Sequence, residues 1–118
     1  MSESIIKNKS FKFSLKIIQL YKKLLIEKEF VISKQLLKSG TSIGANIEEA
    51  LAGQSKRDFI AKMSISSKEA RETKYWLRLL NESDLTKQNV DDLLNDIDEI
   101  IRMLTSIVKT SQLNLTKN

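Results

Sequence analysis

Not one proline occurs in the 118 residues, and glycine occurs only three times, at Gly40, Gly44 and Gly53. Tight turns draw on both residues, proline for its fixed φ and glycine for its free one, so a strand-rich chain of this length would use many of each. The expected class is all-α, and the length fits a single domain. Two of the glycines stand four residues apart in "SGTSIGANIEEA", residues 39–50, inside a stretch whose spacing is helical. A helix that keeps two such residues needs a reason for them.

Periodicity resolves four helices. The first runs from about Asn8 to Lys28, with Asn8 or Ser10 as its N-cap. Its apolar residues, from Phe11 and Phe13 through Ile17 to Leu24 and Leu25, cover about 220° of the circumference. That is about twice the stripe a surface helix of a monomer requires. One flank should fill its own bundle and another should meet a second molecule. Phe11, Phe13, Ile17 and Leu24 are therefore expected at a subunit interface.

The second helix spans about Ile32 to Ala52, with Ile32, Leu36, Gly40, Ile43, Ile47 and Ala50 on one seam. Gly40 lies on that seam and Gly44 beside it. Each costs about 1 kcal/mol of helix propensity, which close approach of a neighbour must offset. Ser55 opens the third helix with a capping-box-like "SKRD". This helix runs over about 56–81 on the seam Phe59, Met63, Ser66, Ala70, Thr73, Leu77 and Leu80. The small residues midway along it make the third helix the expected partner of the glycines. The fourth runs from about Thr86 to Lys109, apolar on one side, with Asp91, Asp92, Asp96, Asp98 and Glu99 outside the stripe. Residues 110–118 read as a frayed tail. Four such helices with short connections predict an antiparallel up-down-up-down bundle over residues 1–118.

Cysteine and histidine are both absent. Disulfides, thiolate nucleophiles, imidazole bases and the usual zinc and iron ligands go with them, so neither enzymatic activity nor a cofactor is expected. The opening "MSESIIKNKSFKF" has no apolar run of signal-peptide length, and no segment approaches the roughly 20 apolar residues of a membrane span. Cytoplasmic residence without a membrane partner is the expectation.

The net charge of +5 is uneven. Residues 1–28 hold seven lysines against Glu3 and Glu27, whereas residues 82–118 hold four basic and seven acidic side chains. Lys9, Lys12, Lys16 and Lys23 share one sector of the first helix, opposite its apolar flank. They are the candidate nucleic-acid contacts, which would give salt-dependent and largely sequence-independent affinity. An ordinary solvated face is the alternative, although a ring of subunits would join the stripes into one basic surface.

Other constellations have structural readings. The glycine pair lacks the preceding strand and the Gly-Lys-Ser/Thr ending of a phosphate loop. Asn46, with Gly40 and Gly44, belongs to the helix-packing motif, and Asn46 and one of the neighbouring glutamates are expected to bond across to a neighbouring helix and fix register. Glu48, Glu49, Glu69 and Glu72 could form an all-carboxylate metal site, but the Glu-x-x-His pairs of bundle metalloproteins are missing and no metal is expected. "KYWLR" places Tyr75 and Trp76 beside Lys74 and Arg78. An inter-subunit contact is the favoured reading, with a base-stacking platform as the alternative.

"QLLKSGTSIGANIEEA" followed by "SKRDFIAKMSISSKEARETKYWLRLL" resembles the bacterial four-helix-bundle family encoded within intervening sequences of 23S rRNA genes. The resemblance spans about Phe11 to Thr110 and is densest over Gln35–Leu80. It implies a bundle that assembles as a toroidal homopentamer. A related accessory protein of diversity-generating retroelements is a basic pentamer that binds nucleic acid and a reverse transcriptase. By that analogy RNA or DNA, or another protein such as a reverse transcriptase, are the implied partners, and no small-molecule substrate is implied. The acidic fourth helix and modest net charge depart from that protein's strongly basic character. The resemblance carries over no catalytic residue.

Overall fold

The computed structural model describes residues 2–116 and consists of four helices: α1 (Ser2–Ile26), α2 (Ile32–Leu51), α3 (Lys56–Ser83) and α4 (Asp91–Thr116). Each helix packs against its chain neighbours and α4 closes back on α1, while the diagonal pairs α1/α3 and α2/α4 do not approach. The result is an antiparallel four-helix bundle about 52 Å long and 22 Å across.

The core is built from 4-3 seams. On α3, Met63, Ser66, Ala70, Thr73, Leu77 and Leu80 are all buried, and on α2 so are Leu36, Gly40, Ile43, Ile47 and Ala50. On α1 the buried seam is Ile6, Ser10, Phe13, Ile17, Leu20 and Leu24. This seam explains why α1 begins at Ser2 and not near Asn8: Ile6 extends the apolar stripe backward by two turns. Ser10 is therefore inside the helix, where its hydroxyl donates to the Lys7 carbonyl at 3.0 Å, and it caps nothing. At the other end of the chain the expected frayed tail is helical to Thr116, because half-buried Ser111 and Leu115 continue the stripe of Leu104 and Val108. Residues 117 and 118 lie outside the described residues.

Two glutamates shape the connections. Glu29 folds over the start of α2, its carboxylate accepting from the backbone N–H groups of Ile32 (3.0 Å) and Ser33 (2.6 Å) and more loosely from Val31. These are the donors that a helix start leaves without intrahelical partners. Glu27, at the end of α1, accepts from the Thr86 hydroxyl at 2.6 Å, the Lys87 N–H and the Gln88 side chain. That clamp holds residues 86–88 out of helix, so α4 starts at Asp91 and not at Thr86. Lys28 and Asp84 close α1 and α3 in left-handed conformation. Ser55 caps α3 by accepting from the Asp58 N–H at 3.0 Å.

The glycines face α1, not α3. A Cβ on Gly40 would stand 3.0 Å from both γ-carbons of Ile17, and one on Gly44 would meet Ser10 and Ser14. The buried stripe of α2 has two edges: Gly40 and Gly44 lie on the edge turned to α1, and Ser39 and Ile43 on the edge turned to α3. At that second edge hydroxyls do the joining. Ser66 donates to the Ile43 carbonyl at 2.8 Å, and the Thr73 and Ser39 hydroxyls bond at 3.0 Å. Asn46 does not cross between helices as expected; its amide donates to the carbonyl and hydroxyl of Ser42, one turn back on α2. The register role expected of Asn46 thus belongs to Ser39, Ser66 and Thr73, and no buried side-chain polar atom among the described residues lacks a partner.

The two glycines should respond differently to a methyl group. Gly40→Ala forces fully buried Ile17 to move and should cost about 1–3 kcal/mol of stability. Gly44→Ala meets contacts of 3.4 Å or more, so it should be neutral or gain up to about 1 kcal/mol in helix propensity. Urea unfolding of the two variants checks this. Equal losses would contradict the assignment of Ile17 as the obstacle.

The Glu29 cap should also show in pH dependence. Burial pushes its carboxyl upward, but the N–H groups of Ser33, Ile32 and Val31 outweigh that and hold it below its ordinary value of 4.5. A depressed carboxylate stabilises the fold above the ordinary value and loses that contribution as pH falls through the depressed one. Glu29→Ala should therefore cost about 1 kcal/mol at pH 7. In thermal melts the gap from the parent should shrink as pH falls from 4.5 through the depressed value.

Candidate interaction surfaces

The defining feature of the surface is a second seam on α1. Phe11, Leu15, Ile18, Lys22 and Leu25 step by 4, 3, 4 and 3, on the side of the helix away from the core. Phe11 is 59% exposed and Leu15 49%. Ile26, at 81%, and the turn residues Phe30 and Val31 beyond the helix end are exposed as well. Single exposed apolar residues are ordinary on proteins, but a contiguous row is not.

The six residues expected at a subunit interface divide accordingly. Phe13, Ile17 and Leu24 belong to the subunit's own core, being at most 1% exposed. They occupy the inner of the two seams, a distinction that a broad apolar arc does not make. Phe11 and Tyr75 are exposed and Trp76 is half-buried. Tyr75 and Trp76 stack edge to face at 5.1 Å, and the Trp76 indole donates to Glu72 at 3.1 Å. Because α1 and α3 occupy diagonal corners, Phe11 and Tyr75 lie on opposite sides of the bundle. The structure does not bring them together within one subunit. Leu15, Ile26, Phe30 and Val31 join the exposed set; the signal in the sequence was an apolar pair, "FV", in a turn where polar residues are usual.

The four candidate lysines also separate into two pairs. Lys9 bonds Glu99 at 3.1 Å, and Lys16 bonds Asp92 and Asp96 at 2.9 and 2.8 Å. The bonds to Asp96 and then Asp92 raise the Lys16 ammonium above its ordinary value, so it stays charged throughout the neutral range. Lys12 and Lys23 are exposed and make no ion pair among the described residues. The excess of positive charge on the first helix and of negative charge on the fourth thus meet as an ion-pair seam between α1 and α4. Lys74 and Asp98, at 2.7 Å, repeat the pattern between α3 and α4.

The carboxylates of α2 and α3 are dispersed. Glu49 pairs with Lys62 at 3.0 Å and Glu48 lies 3.8 Å from Lys7. No group of three potential metal ligands converges among the described residues. Glu69 is the exception in character: burial, and then the neighbouring Glu72 charge, raise its carboxyl above the ordinary value although Lys38 and Lys68 act against this. At the bundle end formed by the starts of α1 and α3 and the last turns of α4 lies a shallow cleft of about 460 Å³. Its walls are largely apolar or hydroxyl side chains such as Phe59, Met103, Ile107 and Ser106. No described helix is long and apolar enough to cross a membrane.

Comparison with known proteins gives two findings. The family model described as "23S rRNA-intervening sequence protein" matches residues 2–106. A crystal structure of a protein with unknown function from the S23 ribosomal protein family, from Bacteroides thetaiotaomicron, is 50% identical. It superposes with a TM-score of 0.88 over 92% of this chain and 99% of that one. No curated protein matches the chain.

Proposed function

The chain belongs to the 23S rRNA-intervening sequence protein family, and we propose that it acts as a non-enzymatic, self-associating scaffold whose copies join through the outer seam of α1. The observation that carries this reading is the row Phe11, Leu15, Leu25, Ile26, left in solvent by a bundle whose core is already complete. Burying a large apolar side chain contributes about 1.5–3 kcal/mol, so a row of four supplies ample drive for association. A ring of five, as the family resemblance implies, is the assembly adopted here, with the cytoplasm as its site.

Nucleic-acid binding is the second reading. Exposed, unneutralised Lys12 and Lys23 favour it, as does a net charge of +5 repeated around a ring. Against it, half of the basic stripe already has carboxylate partners on α4, so each subunit offers a phosphate backbone fewer free cations than the stripe suggests. RNA is the natural first substrate to try, and a protein client is the alternative occupant of the scaffold.

Sedimentation velocity tests the scaffold reading. The chain should sediment as an oligomer several times its 13.5 kDa mass at micromolar concentration, and Phe11→Asp with Ile26→Asp should reduce it to a folded monomer. A 13.5 kDa species at high micromolar concentration overturns the proposal. For the second reading, fluorescence anisotropy with single-stranded RNA should show affinity that falls as salt rises. It should fall at least tenfold when Lys12 and Lys23 are reversed to glutamate. No binding at low salt retires the nucleic-acid role.

A further inference from the structure

The groove between α3 and α4 gathers cations without counter-ions. Ser64, Ser67 and Arg71 line one wall, stepping by 3 and 4 along α3. Thr105, Lys109 and Gln112 line the other, stepping by 4 and 3 along α4. Between them lies an open cleft of about 270 Å³ with no carboxylate among its lining residues. The ion pairs of this face lie outside it: Lys74 holds Asp98 at 2.7 Å and Arg78 holds Glu82 at 3.1 Å. Arg71 and Lys109 make no ion pair among the described residues. That sets them apart from Lys9 and Lys16, whose charges carboxylates of α4 already meet.

The donors of the cleft are largely unspent as well. A guanidinium has five N–H donors, and the one bond Arg71 makes is to the Thr105 hydroxyl, at 3.3 Å. Ser64 and Ser67 are half-buried, and their hydroxyls make no hydrogen bond among the described residues. By contrast, the hydroxyls of Thr41, Ser66 and Thr73 all donate to backbone carbonyls. A guanidinium, an ammonium and two free hydroxyls with no acid between them suit an ionised phosphoryl group, whose oxygens are strong acceptors. A phosphate monoester carries about −1.5 to −2 charge at pH 7, which two cations match.

At Gln112 this cleft adjoins a second one of about 460 Å³. Ile60, Ala61 and Leu115 line it together with Arg57, and again no carboxylate does. A donor-rich half and an apolar half therefore lie end to end along one groove.

We propose that the α3–α4 groove binds an organic phosphate monoester. The phosphoryl group sits between Arg71 and Lys109 with Ser64 and Ser67 donating to it, and the carbon skeleton lies against Ile60, Ala61 and Leu115. Arginine can meet two phosphate oxygens with parallel N–H groups, while lysine adds a point charge. The site is independent of the outer α1 seam, since α1 and α3 occupy diagonal corners of the bundle. It requires neither the α1 lysines nor self-association, so a parent chain that proves monomeric leaves it standing.

Calorimetric titration at low salt with phenyl phosphate, inorganic phosphate and phenol tests this. Phenyl phosphate should bind saturably, one per chain, about tenfold more tightly than inorganic phosphate because its ring leaves water. Phenol should not bind. Arg71→Gln and Lys109→Gln should each weaken both anions at least tenfold. Arg78→Gln, which removes an exposed cation outside the cleft, should change binding less than about twofold. Leu115→Ala should reduce the advantage of phenyl phosphate about threefold and leave inorganic phosphate unaffected. Circular dichroism and sedimentation that match the parent exclude loss of fold or of association in each variant.

No saturable binding of either anion overturns the proposal. So does an equal loss in Arg78→Gln, which would mean diffuse attraction to a positively charged chain. Equal affinity for the two anions refutes the monoester assignment. Competition by a 5′-phosphorylated RNA hexamer then separates the sources of the ester. Displacement stronger than by phenyl phosphate, and lost with the 5′-phosphate, assigns the ester to an RNA end; weaker displacement assigns it to a small free molecule.

Discussion

α1 is apolar on two sides, and a bundle of four helices can cover only one of them. Its inner seam, Ile6 to Leu24, is covered by α2 and α4. Its outer seam is left where it was in the unfolded chain, in water. The proposed self-association follows from that imbalance, and among the described residues no group of three potential metal ligands converges. The chain has neither cysteine nor histidine, and Glu29, Glu27 and Asp96 are engaged in a helix cap, a loop clamp and an ion pair with Lys16.

The rest of the bundle shows how little polar chemistry is needed to fix such a fold. Three hydroxyls, on Ser39, Ser66 and Thr73, tie α2 to α3 inside the core. Each such bond contributes only about 1 kcal/mol net, but a partner left unsatisfied would cost about 1–3 kcal/mol, so the bonds select one register over its neighbours. Gly40 performs the matching task against α1, by absence: there is room for Ile17 only because the glycine has no side chain. The α1–α4 contact, the thinnest of the four, is bridged by exposed ion pairs, individually worth little and sensitive to salt.

The α3 seam was fully legible in the sequence, because its apolar and small residues keep one 4-3 period with no competing stripe. The α2 seam was equally plain, but which of its edges faced which neighbour was not, since a helical period gives the width of a stripe and not the identity of the helix opposite. That is why Gly40 and Gly44 read as partners of α3. On α1 two seams overlap into one broad arc, so the excess of apolar surface could be seen while its division between Phe13 and Phe11 could not. The α4 start was hidden for a different reason: Glu27 lies about 60 residues from the loop it clamps, and no local pattern reports such a contact. Charge sums likewise revealed a basic start and an acidic end. They were silent on whether those charges would meet, and the meeting of Lys16 with Asp92 and Asp96 changes what the basic stripe is free to do.

The absence of cysteine offers a direct view of the outer face. A single thiol introduced as Leu15→Cys reports whether that face is open, with Asn95→Cys on exposed α4 as reference. The rate of alkylation at position 15 should be at least tenfold slower than at position 95 at micromolar concentration and should rise toward it on dilution. Equal rates at every concentration would mean that the second side of α1 stays in water, and that the imbalance is simply tolerated.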